Sequence, residues 1–184
     1  MKLGIDIGLI GGLSLLDCKK LIATKPIPTF EAMVGKKIRN RYDIAETYKI
    51  IKDWNEKYKI DKACMENLKP MQSSIASFSM GAGSMLFKTL LIVLEIPYSE
   101  IVPSKWQKDV FGELGIPYTG KTTKIASIQA AKQLFPQETF LRTKRSKKPC
   151  DGLTDSALIG YYLDKTEALT NNLKLLEPYK ILKE

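Results

Sequence analysis

The sequence predicts an α/β domain, a mixed five-stranded sheet flanked by helices, formed by residues 1–184 as a single unit. Three observations carry that reading. Three strand-like stretches joined by short turns come first. Strand and helix patterns then alternate through the rest of the chain. A carboxylate, Asp6, interrupts the first apolar strand, and a buried carboxylate needs a partner, a proton or a metal.

Leu3, Ile5 and Ile7 alternate with Lys2, Gly4 and Asp6, which is the period of a strand. Gly8, Gly11 and Gly12 permit a tight turn, and 12–16 reads as a second strand paired to the first. A third strand, 21–27, is ended by Pro26 and Pro28, so the first three form an antiparallel meander. The stretch 29–42 reads as a long polar connection whose Lys36, Lys37, Arg39 and Arg41 are candidates for phosphate contact. In 43–58, Ile44, Thr47, Ile51, Trp54 and Tyr58 fall at helical spacing behind Asp43 as cap. Residues 60–66 form a short strand that ends on Glu66.

A long helix is expected over 73–94, where Gly81 and Gly83 call for close packing in compensation. Pro97 and Pro103 bracket a fifth strand at 98–102, and Ser104 caps a helix to 110. A turn-rich connector, 112–124, leads to a helix over 124–134 stopped by Pro136. Residues 139–149 hold Arg142, Lys144, Arg145, Lys147 and Lys148 with no acid among them, an exposed basic loop suited to phosphates. The closing helix, 151–164, buries Leu153, Ala157, Leu158, Tyr161 and Tyr162, and the last twenty residues read as a capping segment or tail. The order β β β α β α β α α α is the layout of a ribonuclease H-like fold.

Composition narrows the chemistry. The net charge of +9 favours an acidic polymer as partner, most often nucleic acid. The chain has no histidine, which removes Ser-His-Asp and Cys-His catalysis and histidine metal ligands. Three unpaired cysteines fit a reducing compartment and give no zinc spacing. No apolar run is long enough for a membrane span, and no signal peptide is visible at the N-terminus.

Four carboxylates are placed to work together. Asp6 lies in the first strand and Glu66 ends the fourth, which this layout sets beside the first. Asp151 and Asp155 are four apart and share a helix face. Converged, four carboxylates with no cation among them repel, and divalent ions with oxygen ligands remove that repulsion. Two Mg²⁺ or Mn²⁺ ions about 4 Å apart activate a water and stabilise the leaving oxygen of a phosphodiester. A competing motif, GIPYTGKT at 115–122, matches the phosphate-loop pattern, but a helix and turn precede it and Pro117 lacks a donor. No nucleotide cofactor is expected there. Lys121 and Lys124 are instead candidates for contact with a nucleic-acid backbone.

GIDIGLIGG at the start, Met65 and Glu66 closing a strand, SKWQKDVFG at 104–112, and KKPCDG running into DGLTDSALIG together resemble the RuvC-type Holliday junction resolvases. The likeness is strongest to their phage, poxvirus and organellar branches and runs from Met1 to about residue 163. It implies a homodimeric, Mg²⁺-dependent, ribonuclease H-like endonuclease that makes paired nicks in a four-way DNA junction. By the same resemblance Asp6, Glu66, Asp151 and Asp155 are the metal-binding carboxylates, with two ions per site. Lys148 is a candidate to stabilise developing charge at the scissile phosphate.

The resemblance also sends Lys69, Met71 and Gln72 into the junction centre and makes the 73–94 helix the dimer interface. It places the protein in the cytoplasm or nucleoid of a bacterial or phage system, or in a viral factory or organelle of a eukaryote. Two features depart from the family: Ile7 stands where bacterial members usually have Pro, and the last two carboxylates are four rather than three apart. Two other classes fit the same residues, a ribonuclease H-like nuclease for another branched DNA or an RNA–DNA hybrid, and a non-catalytic junction-binding protein. A sugar-kinase-like ATPase shares the strand–Asp–Gly opening, but 184 residues cannot hold its two lobes.

Overall fold

The computed structural model describes residues 1–67 and 74–176, with side chains described for 1–67 and 77–168. Strands β1 (Lys2–Asp6), β2 (Gly12–Asp17) and β3 (Lys20–Pro26) are followed by β4 (Thr29–Val34), β5 (Lys37–Tyr42) and helix α1 (Ile44–Tyr58). Then come β6 (Lys62–Glu66), α2 (Ser74–Val93), β7 (Tyr98–Ile101), α3 (Pro103–Glu113), α4 (Thr123–Leu134) and α5 (Asp151–Leu176). The main sheet has the order β3-β2-β1-β6-β7. β1 pairs antiparallel with β2 and parallel with β6, so the expected meander and mixed sheet are present.

Strand alternation divides the chain into two cores. Leu3, Ile5 and Ile7 of β1, Leu13 and Leu15 of β2, and Ala63 and Met65 of β6 pack with residues of α1 and α2. Leu16 and Cys64 face the other way, into a core built by α3, α4 and α5. By the two-residue period of a strand, Gly4 and Asp6 share the α5 side with Glu66. The face that the apolar residues leave free is thus the face that carries the carboxylates.

On that side the backbones of sheet and helix touch. A Cβ at position 4 would lie 2.0 Å from the Ser156 carbonyl oxygen and 2.4 Å from the Gly160 amide nitrogen. A Cβ at position 152 would lie 2.3 Å from the Ile10 carbonyl oxygen. Gly152, Ser156 and Gly160 recur every four residues, a stripe of small side chains laid on β1 and β2. Ser156 is itself tied to Ser14 of β2 by a 2.7 Å hydroxyl contact.

Several local expectations change. The stretch 29–42 is no loop: β4 and β5 form a hairpin outside the main sheet, with Gly35 at φ 61° and Lys36 as its two-residue turn. α3 begins on Pro103 with Val102 at the N-cap, and Ser104 does not cap it. The residues beyond 164 are not a tail through 176, because α5 continues and Glu167 pairs with Lys2 and, at 3.0 Å, with Lys62. The close packing expected at Gly83 is present, because it abuts Tyr42 and Ile7. Asp43 does cap α1, accepting from the Glu46 amide at 3.0 Å. No helix among the described residues is long and apolar enough to cross a membrane.

Candidate active site

Asp6 ends β1, and β1 pairs in parallel register with β6, Ile5 beside Met65. The next position on each strand is a carboxylate, Asp6 and Glu66. The Gly8 amide donates to Asp6 Oδ1 at 3.2 Å, and the turn closes with Gly11 N–H on the Gly8 carbonyl at 2.8 Å. The Trp106 indole N–H of α3 donates to Glu66 Oε1 at 2.9 Å. Asp151 opens α5 and Asp155 follows one turn later, on the ridge beside the small-residue stripe.

The four groups feel one another. Burial, the Glu66 charge and the Asp151 charge push the Asp6 carboxyl up to about 7, against the Gly8 hydrogen bond and the Lys124 charge. Burial also raises Glu66, opposed by the Trp106 hydrogen bond. Asp155 is held well above the usual carboxylate range by burial and then by Asp6, while the neighbouring Ser127 hydroxyl pulls the other way. Its Oδ1 is buried without a hydrogen-bond partner. Asp151 differs. Burial raises it, but Lys124 Nζ, 2.6 Å from Oδ2, outweighs that and holds it below the usual range.

Lys124 revises the expectation of four acids with no cation among them. Its side chain is 80% exposed, so it spans from solvent to the cluster without being buried. One ammonium does not neutralise four carboxylates, and an orphaned buried oxygen on Asp155 remains. The oxygen-only donor set fits Mg²⁺ or Mn²⁺. As the side chains stand, no three His, Cys, Asp or Glu among the described residues are placed to hold one ion, and Lys124 takes up one oxygen of Asp151.

The remaining candidates differ in exposure. Arg142 is not fully outward: its Nη2 donates to the Leu9 carbonyl at 3.3 Å, bracing the turn after Asp6, and its Nη1 is buried unpaired. Lys144, Arg145, Lys147 and Lys148 are exposed, as are Lys121, Lys36, Lys37 and Arg39, with Arg41 half-buried. Lys69, Met71 and Gln72 lie outside the described residues. The GIPYTGKT segment follows helix α3 where a phosphate loop requires a strand, and its Thr119 and Thr122 hydrogen-bond each other.

Sequence reading missed Trp106, Ser127 and the role of Lys124. Only Trp106 left a signal, since an indole N–H on the buried face of an amphipathic helix needs an acceptor.

No family model and no curated protein matches the sequence. Solved structures do. Thermus thermophilus RuvC in complex with Holliday junction substrate aligns with a TM-score of 0.57 at 10% identity, over 91% of this chain and 95% of that one. This chain has the RuvC fold. The yeast mitochondrial Holliday junction resolvase aligns with a TM-score of 0.50 at 14% identity, over 97% of this chain and 83% of that one. At these identities the likeness is one of backbone, as expected when the same sheet order and helix layers are built from different side chains. The RuvC fold accounts for the mixed five-stranded sheet and for the juxtaposition of β1, β6 and α5 that gathers the carboxylates.

Proposed function

We propose that the protein is a Holliday junction resolvase, a homodimeric, metal-dependent endonuclease that makes symmetric paired nicks in four-way DNA junctions. The observation that carries the reading is the gathering of Asp6, Glu66, Asp151 and Asp155 at one end of the sheet, where burial raises Asp6, Glu66 and Asp155 and neighbouring carboxylates raise Asp6 and Asp155 further. A site that strains its own carboxylates in this way is built for cations. The RuvC fold and the basic surplus support nucleic acid as the polymer that meets them.

Divalent cations held by Asp6, Glu66, Asp151 and Asp155, two per site, would supply water activation and stabilisation of the leaving oxygen. The chain supplies the rest. The Gly8 amide fixes Asp6 on a rigid central strand, and Trp106 occupies one oxygen of Glu66 and orients the other. Lys124 is an exposed positive charge beside Asp151, free to turn to a phosphate oxygen as charge develops there. Lys148, with Lys144, Arg145 and Lys147, is offered to the backbone from the exposed segment before α5.

The test is a nick map. Incubated with Mg²⁺, the protein should introduce paired nicks symmetric about the branch point of a synthetic four-way junction and leave linear duplex uncut. Equal cutting of duplex or of an RNA–DNA hybrid would sink the junction reading in favour of a broader nuclease. Binding without any cutting would make the protein a junction-binding module.

Two symmetric nicks require two sites related by a two-fold axis. α2 offers the surface: Phe78, Met85 and Ile92 are 70%, 63% and 65% exposed, seven residues apart, on one stripe. Open space around Gly81 extends it. Met85→Glu should weaken the dimer about 100-fold by placing a charge in that contact. Light scattering across a dilution series reads this directly, and a variant that remains dimeric at wild-type concentrations would remove α2 from the interface.

A further inference from the structure

The β4–β5 hairpin separates its charges by face. In an antiparallel pair, residues opposite each other put their side chains on one side. The register sets Phe30 opposite Arg41, Ala32 opposite Arg39 and Val34 opposite Lys37, so these six share a face. The other face holds Met33 with Ile38, Glu31 with Asn40, and Thr29 with Tyr42. All three strand cations therefore lie on one side and the hairpin's single acid, Glu31, on the other. Lys36 belongs to neither face, because it sits in the turn. None of Lys37, Arg39 and Arg41 makes an ion pair among the described residues.

The hairpin is also rooted beside the carboxylates. The Tyr42 hydroxyl at its base donates to the Ile7 carbonyl at 2.7 Å, one residue from Asp6. Arg41 and Leu9, the latter in the turn that follows Asp6, line a common cleft. From there the cations run outward at alternate positions, about 6.8 Å apart. That spacing is on the scale of successive phosphates along one DNA strand, and it leads away from the catalytic end along a line.

We infer that the Lys37–Arg39–Arg41 face of the hairpin is a clamp for the phosphate backbone of a duplex arm of the junction, carrying the arm outward from the carboxylate site. The partner rests on the resolvase reading; the charged face does not. Apolar Phe30 and Val34, exposed on the same face opposite Arg41 and Lys37, are suited to the sugars of the same strand.

The experiment compares wild type, K37Q/R39Q/R41Q and, from the opposite face, M33S/I38S. Binding to a fluorescent four-way junction is titrated between about 50 and 200 mM salt, with circular dichroism to confirm folding and nicking by the wild type read in the same samples. Loss of three phosphate contacts should flatten the salt slope by about 2.7, so wild-type affinity falls about 40-fold further than the triple variant's across that range. M33S/I38S should keep the wild-type slope. A triple variant with the wild-type slope overturns the inference, and so does an equal change in M33S/I38S, because the effect would then come from the hairpin as a whole. If wild type nicks junctions while the slope is unmoved, the clamp fails and the proposed function stands. If the slope shifts but no nicks appear, the clamp stands and the proposed function fails.

Discussion

Asp6→Asn is expected to lower the single-turnover rate of junction nicking by about 10³-fold or more while making the metal-free protein more stable. The first effect follows from removing the carboxylate that β1 holds at the centre of the cluster. The second follows from its titration. In the fold the Asp6 carboxyl sits near 7, above the range it has in an unfolded chain. Between roughly pH 4 and 7 the folded protein therefore keeps a proton that the unfolded chain has released. Stability from this group falls as pH rises through that window, by an amount on the order of 2–4 kcal/mol. Below the window the group contributes nothing, since both states are protonated. Asparagine is neutral throughout and can still accept from the Gly8 amide.

Thermal melts in EDTA should thus show the variant gaining on wild type from pH 5 to pH 8, and added Mg²⁺ should close the gap by stabilising wild type alone. The comparison has to be a difference between the two proteins. Asp151, Glu113 and Glu167 are held low by their lysines and contribute with the opposite sign, losing stability as pH falls. Parallel melting curves at every pH, with or without Mg²⁺, would show that Asp6 is neither strained nor a cation ligand.

Gly4→Ala carries the largest expected loss of stability, about 4 kcal/mol or outright failure to fold. One methyl group is enough because its neighbours are backbone atoms of α5, 2.0 and 2.4 Å away, which have no rotamer to change. α5 would have to lift from β1, taking Asp151 and Asp155 away from Asp6. Gly120→Ala is the control, with open space around it and an expected change within about 0.5 kcal/mol. Urea denaturation reads both, and a Gly4→Ala protein within 1 kcal/mol of wild type would mean that helix and sheet are not in backbone contact.

Where sequence reading fell short, the failures share a cause. The β4–β5 hairpin looks like a loop in the sequence because its strands bury little: Met33 and Ile38 are 72% and 64% exposed, and Lys37, Arg39 and Arg41 fill the alternate positions that would carry an apolar face. Period-two patterning reports burial, and a strand outside the core hides from it. The small residues of α2 announce close packing in the sequence, but not that Gly83 meets Tyr42 and Ile7. The continuation of α5 past 164 depends on Lys2 and Lys62 reaching Glu167 from β1 and β6, a contact more than a hundred residues away in sequence.

The sequence by itself determined the five-stranded sheet, the capped helix after Asp43, the two faces of β1 and therefore the side on which Asp6 must lie. Those follow from local periodicity, which physics reads off a few adjacent residues. The tertiary structure alone decided how close α5 comes to β1, that Trp106 holds Glu66, and that Lys124 and not a residue of the 139–149 segment pairs with Asp151. Backbone approach and charge placement depend on the path of the chain between distant elements, and no spacing within one segment records that path.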